Sequence, residues 1–164
     1  MSAIVLLDTT VYLNILDIPG LNQCRDAVFN EFEQKVANSD YFLLPLATIL
    51  ETGNHISRLN DGRRRMQFAR KMVDDVRLAM TGEAPYRPTQ FPSREDFLDW
   101  LHNFPDKAMR SKHGRRERPE GMSLSDLSIY MEWKRTCALN SMSRVLIWSL
   151  DSDLSCNEQN PNNT

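Results

Sequence analysis

Four acidic residues, Asp8, Glu51, Asp126 and Asp151, fall at positions where a chain of alternating strands and helices would gather their side chains. Asp8 directly follows the apolar run AIVLL, and Asp151 follows the run RVLIWSL that begins at Arg144. Glu51 lies on a helical segment after a second apolar run at 41–46, and Asp126 opens a long helical segment before the third run. Taken singly, each has a local role. Asp8 can cap a helix at Thr9 or Thr10, Thr48 with Glu51 and Ser123 with Asp126 fit capping boxes, and Asp151 can cap a turn. As a set they read differently, because on a parallel sheet all four fall on one rim. Converging carboxylates repel, and one or more protonates unless a cation neutralises them. An all-oxygen donor set suits Mg²⁺ or Mn²⁺, whereas zinc prefers nitrogen and sulfur. A cation held there binds phosphate oxygens and activates water, which is the chemistry of phosphodiester hydrolysis.

The elements that would position these residues are legible from periodicity. The apolar runs at 3–7, 41–46 and 144–150 read as strands buried on both faces. Helical spacing covers 9–16, 21–37, 48–59, 64–80 and 123–140, and Ser93 with Asp96 forms a capping box that opens another helix. The segment 81–92 carries three prolines and one glycine and reads as a loop. Strands separated by helical crossovers predict an α/β domain with a mostly parallel sheet. In such sheets ligands gather beyond the carboxyl ends of the strands. Residues 1–156 make one domain, and 157–164 reads as a polar flexible tail. Trp100, Trp133 and Trp148 lie within apolar periodic segments and read as core.

Composition narrows the class. The 164 residues are 41% hydrophobic and 26% charged, enough for one domain with its own core and unlike collagen, coiled-coil or low-complexity chains. The longest apolar run is far too short to span a bilayer. Three separated cysteines form neither a zinc motif nor a disulfide framework. With no charged leader before the first apolar run, the expectation is a cytoplasmic domain. The formal net charge of −2 conceals two basic segments, 58–71 and 107–118, each with six basic residues against one acidic. Arg58, Arg63, Arg64 and Arg65 in the first, and Lys112, Arg115, Arg116 and Arg118 in the second, are candidate phosphate contacts for a nucleic acid. On the helix carrying Glu51, Asn54 and Arg58 share its face and could aim at the site, ahead of His55. No phosphate-binding GxxxxGK[ST] or GxGxxG motif and no nucleophile elbow is present.

The segments LLDTTVYLN, LPLATILETGN, SLSDLSIYMEW and VLIWSLDSDL resemble, in order, the four motifs of PIN-domain nucleases, the fold of VapC-type toxins. The resemblance implies a single PIN-like α/β domain. Because the chain ends soon after the fourth motif, the expectation is that the family's last edge strand is missing or that a partner covers that edge instead. It implies a Mg²⁺- or Mn²⁺-dependent endoribonuclease with Asp8, Glu51, Asp126 and Asp151 as catalytic metal ligands and Asp153 as an auxiliary ligand. Thr9 and Ser149 match its supporting hydroxyl positions, and Asn54, taken from the helical face of Glu51, would support them too. It further implies the toxin of a toxin–antitoxin pair, with tRNA or rRNA as substrate, a small cognate antitoxin and a homodimer. Two alternatives remain open at this point: a catalytically inactive PIN-like RNA- or protein-binding module, and a nuclease directed at DNA.

Overall fold

The computed structural model describes residues 2–110 and 121–161, and at position 153 it describes the backbone alone. Three predicted strands form where the apolar runs place them: β1 (Ala3–Leu7), β2 (Tyr41–Leu44) and a later strand at Arg144–Trp148. That strand is β4, because a short β3 (Tyr86–Pro88) precedes it, and β5 (Glu158–Gln159) follows. The five strands lie in the order β3-β2-β1-β4-β5. β1 is central and parallel to both neighbours, with Ile4 opposite Tyr41 on one side and Val145 on the other.

Alternation along the strands divides the core into two layers. Val5, Leu7, Phe42, Leu44, Leu146 and Trp148 face one side. There they meet α1 (Thr9–Ile15), α2 (Arg25–Ala37), α3 (Leu46–Ser57) and α4 (Gly62–Thr81) through Val11, Val28, Ile56 and Ala79. Leu6, Val145 and Ile147 face the other side, against α6 (Leu124–Leu139) and α7 (Ser152–Ser155) through Ile129, Cys137 and Leu154. Between β3 and α6, α5 (Arg94–Met109) packs on α6. A fully buried Leu, Ile or Val contributes about 1.5–3 kcal/mol, while an exposed ion pair contributes about 0–1 kcal/mol. The two apolar layers therefore hold the sheet, and its rim, in place. Trp148 lies in the first layer, Trp133 packs on the second with its indole donating to the Val145 carbonyl at 3.2 Å, and Trp100 is buried on α5.

Several elements depart from the sequence expectation, each for a local reason. The helix expected from residue 21 begins at Arg25. Asn14 Oδ1 accepts from the Cys24 amide at 3.0 Å, and the Arg25 guanidinium holds the Asn14 and Ile15 carbonyls at 2.6 and 2.9 Å, which fixes 21–24 as a loop. Pro45 ends β2 and sits at the N-cap of α3. Thr48 therefore caps nothing, and its hydroxyl donates to the Leu7 carbonyl at 2.8 Å. Within the loop expected at 81–92, β3 pairs with β2 as an edge strand, where Pro88 is tolerated. The basic segment at 107–118 is helical as far as Met109. The last edge strand is present: β5 pairs antiparallel with β4, so the stretch expected to fray from 157 begins with a strand. No described helix is long and apolar enough to cross a membrane.

Candidate active site

The chain fills the sheet from β1 through β2 to β3 on one side, then crosses to β4 on the other. The order therefore switches between β1 and β4, and the crevice beyond their carboxyl ends is where such a sheet receives a ligand. Asp8 leaves β1 at this point, and the turn carrying Asp151 leaves β4 beside it. Asp8, Glu51, Asp126 and Asp151 all line one cleft of about 350 Å³, together with Thr9, Thr10, His55, Gly121 and Ser123.

Asp8 is 3% exposed and held by several donors. Its Oδ2 accepts from the Thr10 hydroxyl at 2.6 Å, the Ser149 hydroxyl at 2.7 Å and the Thr10 amide at 3.3 Å, the last as the N-cap of α1. The two hydroxyls are themselves oriented. Thr10 Oγ1 accepts from the Leu150 amide at 3.0 Å, and Ser149 Oγ accepts from the Asp151 amide at 2.9 Å. This lattice welds the β4–α7 turn to the start of α1 and sets Asp151 beside Asp8. Thr9, on the next position of α1, donates to Glu51 Oε2 at 3.3 Å and ties α3 to the same rim. At the start of α6, Ser123 Oγ accepts from the Asp126 amide at 3.1 Å, so the cap geometry presents that residue to the cleft.

Electrostatics registers the convergence. Burial, then Asp126, then Asp8, push the Glu51 carboxyl above its ordinary pKa, against smaller opposing effects from Thr9 and His55. His55 Nε2 lies 3.9 Å from Glu51 Oε1, one helical turn along α3. Among the described residues, no group of three or more His, Cys, Asp or Glu side chains closes to a ready-made metal cage. The donor set nonetheless fits a hard cation. Its four carboxylates offer oxygen, burial together with Asp126 and Asp8 raises the proton affinity of Glu51, and Mg²⁺ keeps several waters and takes only one or two carboxylates directly.

The expected site residues divide accordingly. The four carboxylates line the cleft, and Thr9 and Ser149 support them. Asn54 and Arg58 are exposed and lie outside the cleft lining, whereas His55 is part of it, reversing the order expected from the helical face. Arg63, Arg64 and Arg65 are exposed on the first turn of α4. Arg65 is engaged structurally, donating to the Leu59 and Asn60 carbonyls at 2.6 and 3.3 Å. Lys112, Arg115, Arg116 and Arg118 lie outside the described residues, as does the side chain of Asp153. The residue that sequence reasoning missed is Thr10. Its signal was present, since a hydroxyl two residues after an N-cap Asp can return to that carboxylate.

The fold has known counterparts. The chain is similar to the crystal structure of FitAcB from Neisseria gonorrhoeae, at 16% identity and a TM-score of 0.54, over 91% of this chain and 88% of that one. It is also similar to a structure of FitAB bound to the IR36 DNA fragment, at 17% identity and the same TM-score of 0.54, over 92% of this chain and 87% of that one. At this identity the likeness establishes a shared fold over nearly the whole length. Neither a family model nor a curated protein sequence matches the chain.

Proposed function

We propose that this protein is a metal-dependent nuclease of the PIN-like toxin type, acting on RNA. The observation that carries the reading is the meeting of Asp8, Glu51, Asp126 and Asp151 in one cleft at the switch point of the sheet. The fold likeness to the FitAB structures agrees with it. When bound, Mg²⁺ or Mn²⁺ would supply charge neutralisation at the phosphate and lower the pKa of an attacking water.

The chain's own groups do the rest. Asp8, Asp126 and Asp151 offer oxygens to the cation, with Asp153 as an auxiliary ligand. Ser149 and Thr10 fix the Asp8 carboxylate so that it need not reorganise during the reaction. Glu51, whose proton affinity is raised, is suited to accept a proton from a water in the cleft. A second groove, which shares Thr10, Leu13, Leu21 and Asp151 with the cleft, extends past Gln23 and Cys24 and gives a polynucleotide a path through the site. The arginines at the start of α4 and the basic segment 107–118 would hold flanking phosphates. A small antitoxin covering the cleft, and a homodimer, belong to the same reading.

The experiment incubates the protein with total cellular RNA and with single-stranded DNA, in Mg²⁺, Mn²⁺ or EDTA, beside Asp8→Asn and Asp126→Asn. RNA cleavage that requires metal and is lost in both variants is the expected result. Cleavage of DNA alone overturns the substrate. Binding of RNA without cleavage, by folded protein, overturns the enzyme reading and leaves a binding module.

A further inference from the structure

Beside the C-terminal half of α6, a cavity of about 160 Å³ lies between that helix and residues of β2 and β3. None of its lining residues belongs to the acidic cleft. Leu43, Pro88 and Leu139 make apolar walls, and Thr89, Gln90 and Glu132 contribute polar groups. Glu132 is 3% exposed, and neither of its oxygens has a hydrogen-bond partner in the protein.

The usual neutraliser is close by but committed elsewhere. Arg135, one turn further along α6, donates to Gln90 Oε1 at 3.0 Å and pairs with Asp96 of α5 at 3.4 Å. Thr89 faces the carboxyl from the end of β3 and lowers its pKa, an effect that burial outweighs, and neither the threonine hydroxyl nor the carboxylate closes a hydrogen bond. Buried polar groups in native proteins are nearly always partnered, and leaving one unmet is costly. A carboxyl kept buried beside a cavity, with both oxygens unmet, matches a ligand that brings two donors.

We propose that this cavity binds a planar group carrying two parallel N–H donors, received bidentately by Glu132, with Leu43, Pro88 and Leu139 packing on its apolar part. Guanidinium on a short alkyl stem and the N1/N2 edge of guanine both carry this donor pair, and they are the two sources to separate. Fork-to-fork pairing needs both carboxylate oxygens, and both are unmet here. Because those oxygens have almost no accessible surface, the carboxylate turns into the cavity when the ligand enters. The site stands apart from the cleft and does not depend on nuclease activity.

The test titrates propylguanidinium and, separately, guanosine into metal-free protein, read by calorimetry and by the carboxyl carbon resonance of Glu132. Saturable binding of one probe that moves this resonance is expected, and which probe binds identifies the source. In Glu132→Gln, which keeps the shape but replaces one acceptor with a donor, affinity should fall at least about tenfold. Asp8→Asn should bind as wild type does, so a failure of the nuclease reading leaves this result untouched. Binding of neither probe at millimolar concentration, or equal binding by Glu132→Gln, overturns the proposal. Leu139→Ala, at an exposed wall position, provides a second variant whose folding is not at issue and should also weaken binding.

Discussion

Ser149 donates its hydroxyl to Asp8 Oδ2 at 2.7 Å, across 141 residues of sequence, and so locks the end of β4 to the end of β1. The same serine oxygen accepts from the Asp151 amide, so one side chain holds the Asp8 carboxylate and the backbone that carries Asp151. Ser149→Ala should cost about 1–2 kcal/mol in denaturant unfolding, because it leaves buried partners unmet. Nuclease rate should fall about ten- to a hundredfold, the usual loss when a group that orients a metal ligand is removed. Ser149→Thr should restore much of both.

Repulsion around Glu51 makes stability depend on pH and on metal. Its pKa is raised on folding by burial, Asp126 and Asp8, so the native state binds more protons than the unfolded state above the ordinary Glu range. Stability from this group is therefore present at low pH and lost as pH rises through the raised value. A divalent cation bound among these carboxylates would remove that penalty. Thermal melts should show a Mg²⁺-induced rise in Tm that is larger at pH 7.5 than at pH 4.5, and Glu51→Gln should raise the Tm of metal-free protein at pH 7.5.

Glu132 follows the same sign with a larger amplitude. Burial raises its pKa to about 7, against smaller lowering effects from Thr89 and Arg135, while Arg135 is itself held by Asp96. Above pH 7 the chain folds against a buried, unpartnered charge. Glu132→Gln should therefore stabilise the protein at pH 8 by up to about 3 kcal/mol and by much less at pH 5. Urea unfolding at the two pH values measures the difference, and a variant less stable at pH 8 contradicts it.

Tyr12 of α1 and Tyr86 of β3 donate to the same oxygen of Asp75 on α4, at 2.7 and 2.6 Å. Burial, followed by this carboxylate, pushes both phenols above their ordinary pKa, so both remain donors throughout the physiological range. Tyr12→Phe and Tyr86→Phe should each cost about 1–2 kcal/mol, since bonds to a charged group are the stronger kind. The double variant should cost less or more than the sum, not equal it, because both bonds share one acceptor.

At Gly121 the chain passes so close to α5 that an added Cβ would overlap the Ala108 carbonyl. Gly121 also lines the cleft, two residues before the cap of α6. Gly121→Ala should displace this segment, loosen the placement of Asp126 and lower nuclease rate more than thermal stability. Parallel melts and rate measurements separate the two effects.

Much of this arrangement is legible in the sequence, because the strands that place Asp8 and Asp151 are buried on both faces and read as unbroken apolar runs. Asp126 follows from a helix start capped by Ser123, and Glu51 from the helical spacing after the second apolar run, although Thr48 does not cap that helix. What the sequence hides depends on contacts between distant segments. β3 and β5 are short edge strands, one ending in proline and one in a polar stretch, so neither has an apolar signature. Helical spacing puts Asn54, His55 and Arg58 on the face of Glu51, but only the packing of α3 on α6 selects His55 for the cleft. The burial of Glu132 is equally silent in sequence, since the residues that line the cavity with it, Leu43, Pro88 and Thr89, come from distant segments.

The most direct test of the central claim is to titrate Mn²⁺ into metal-free protein and count bound ions by electron paramagnetic resonance. Asp8→Asn, Asp126→Asn and the remote Asp96→Asn are measured beside the wild type. Stoichiometric binding by wild type and Asp96→Asn is expected, with affinity at least about tenfold weaker in Asp8→Asn and Asp126→Asn. Equal affinity in all four proteins, or no binding by folded wild type, would contradict a cation site built from the carboxylates of this cleft.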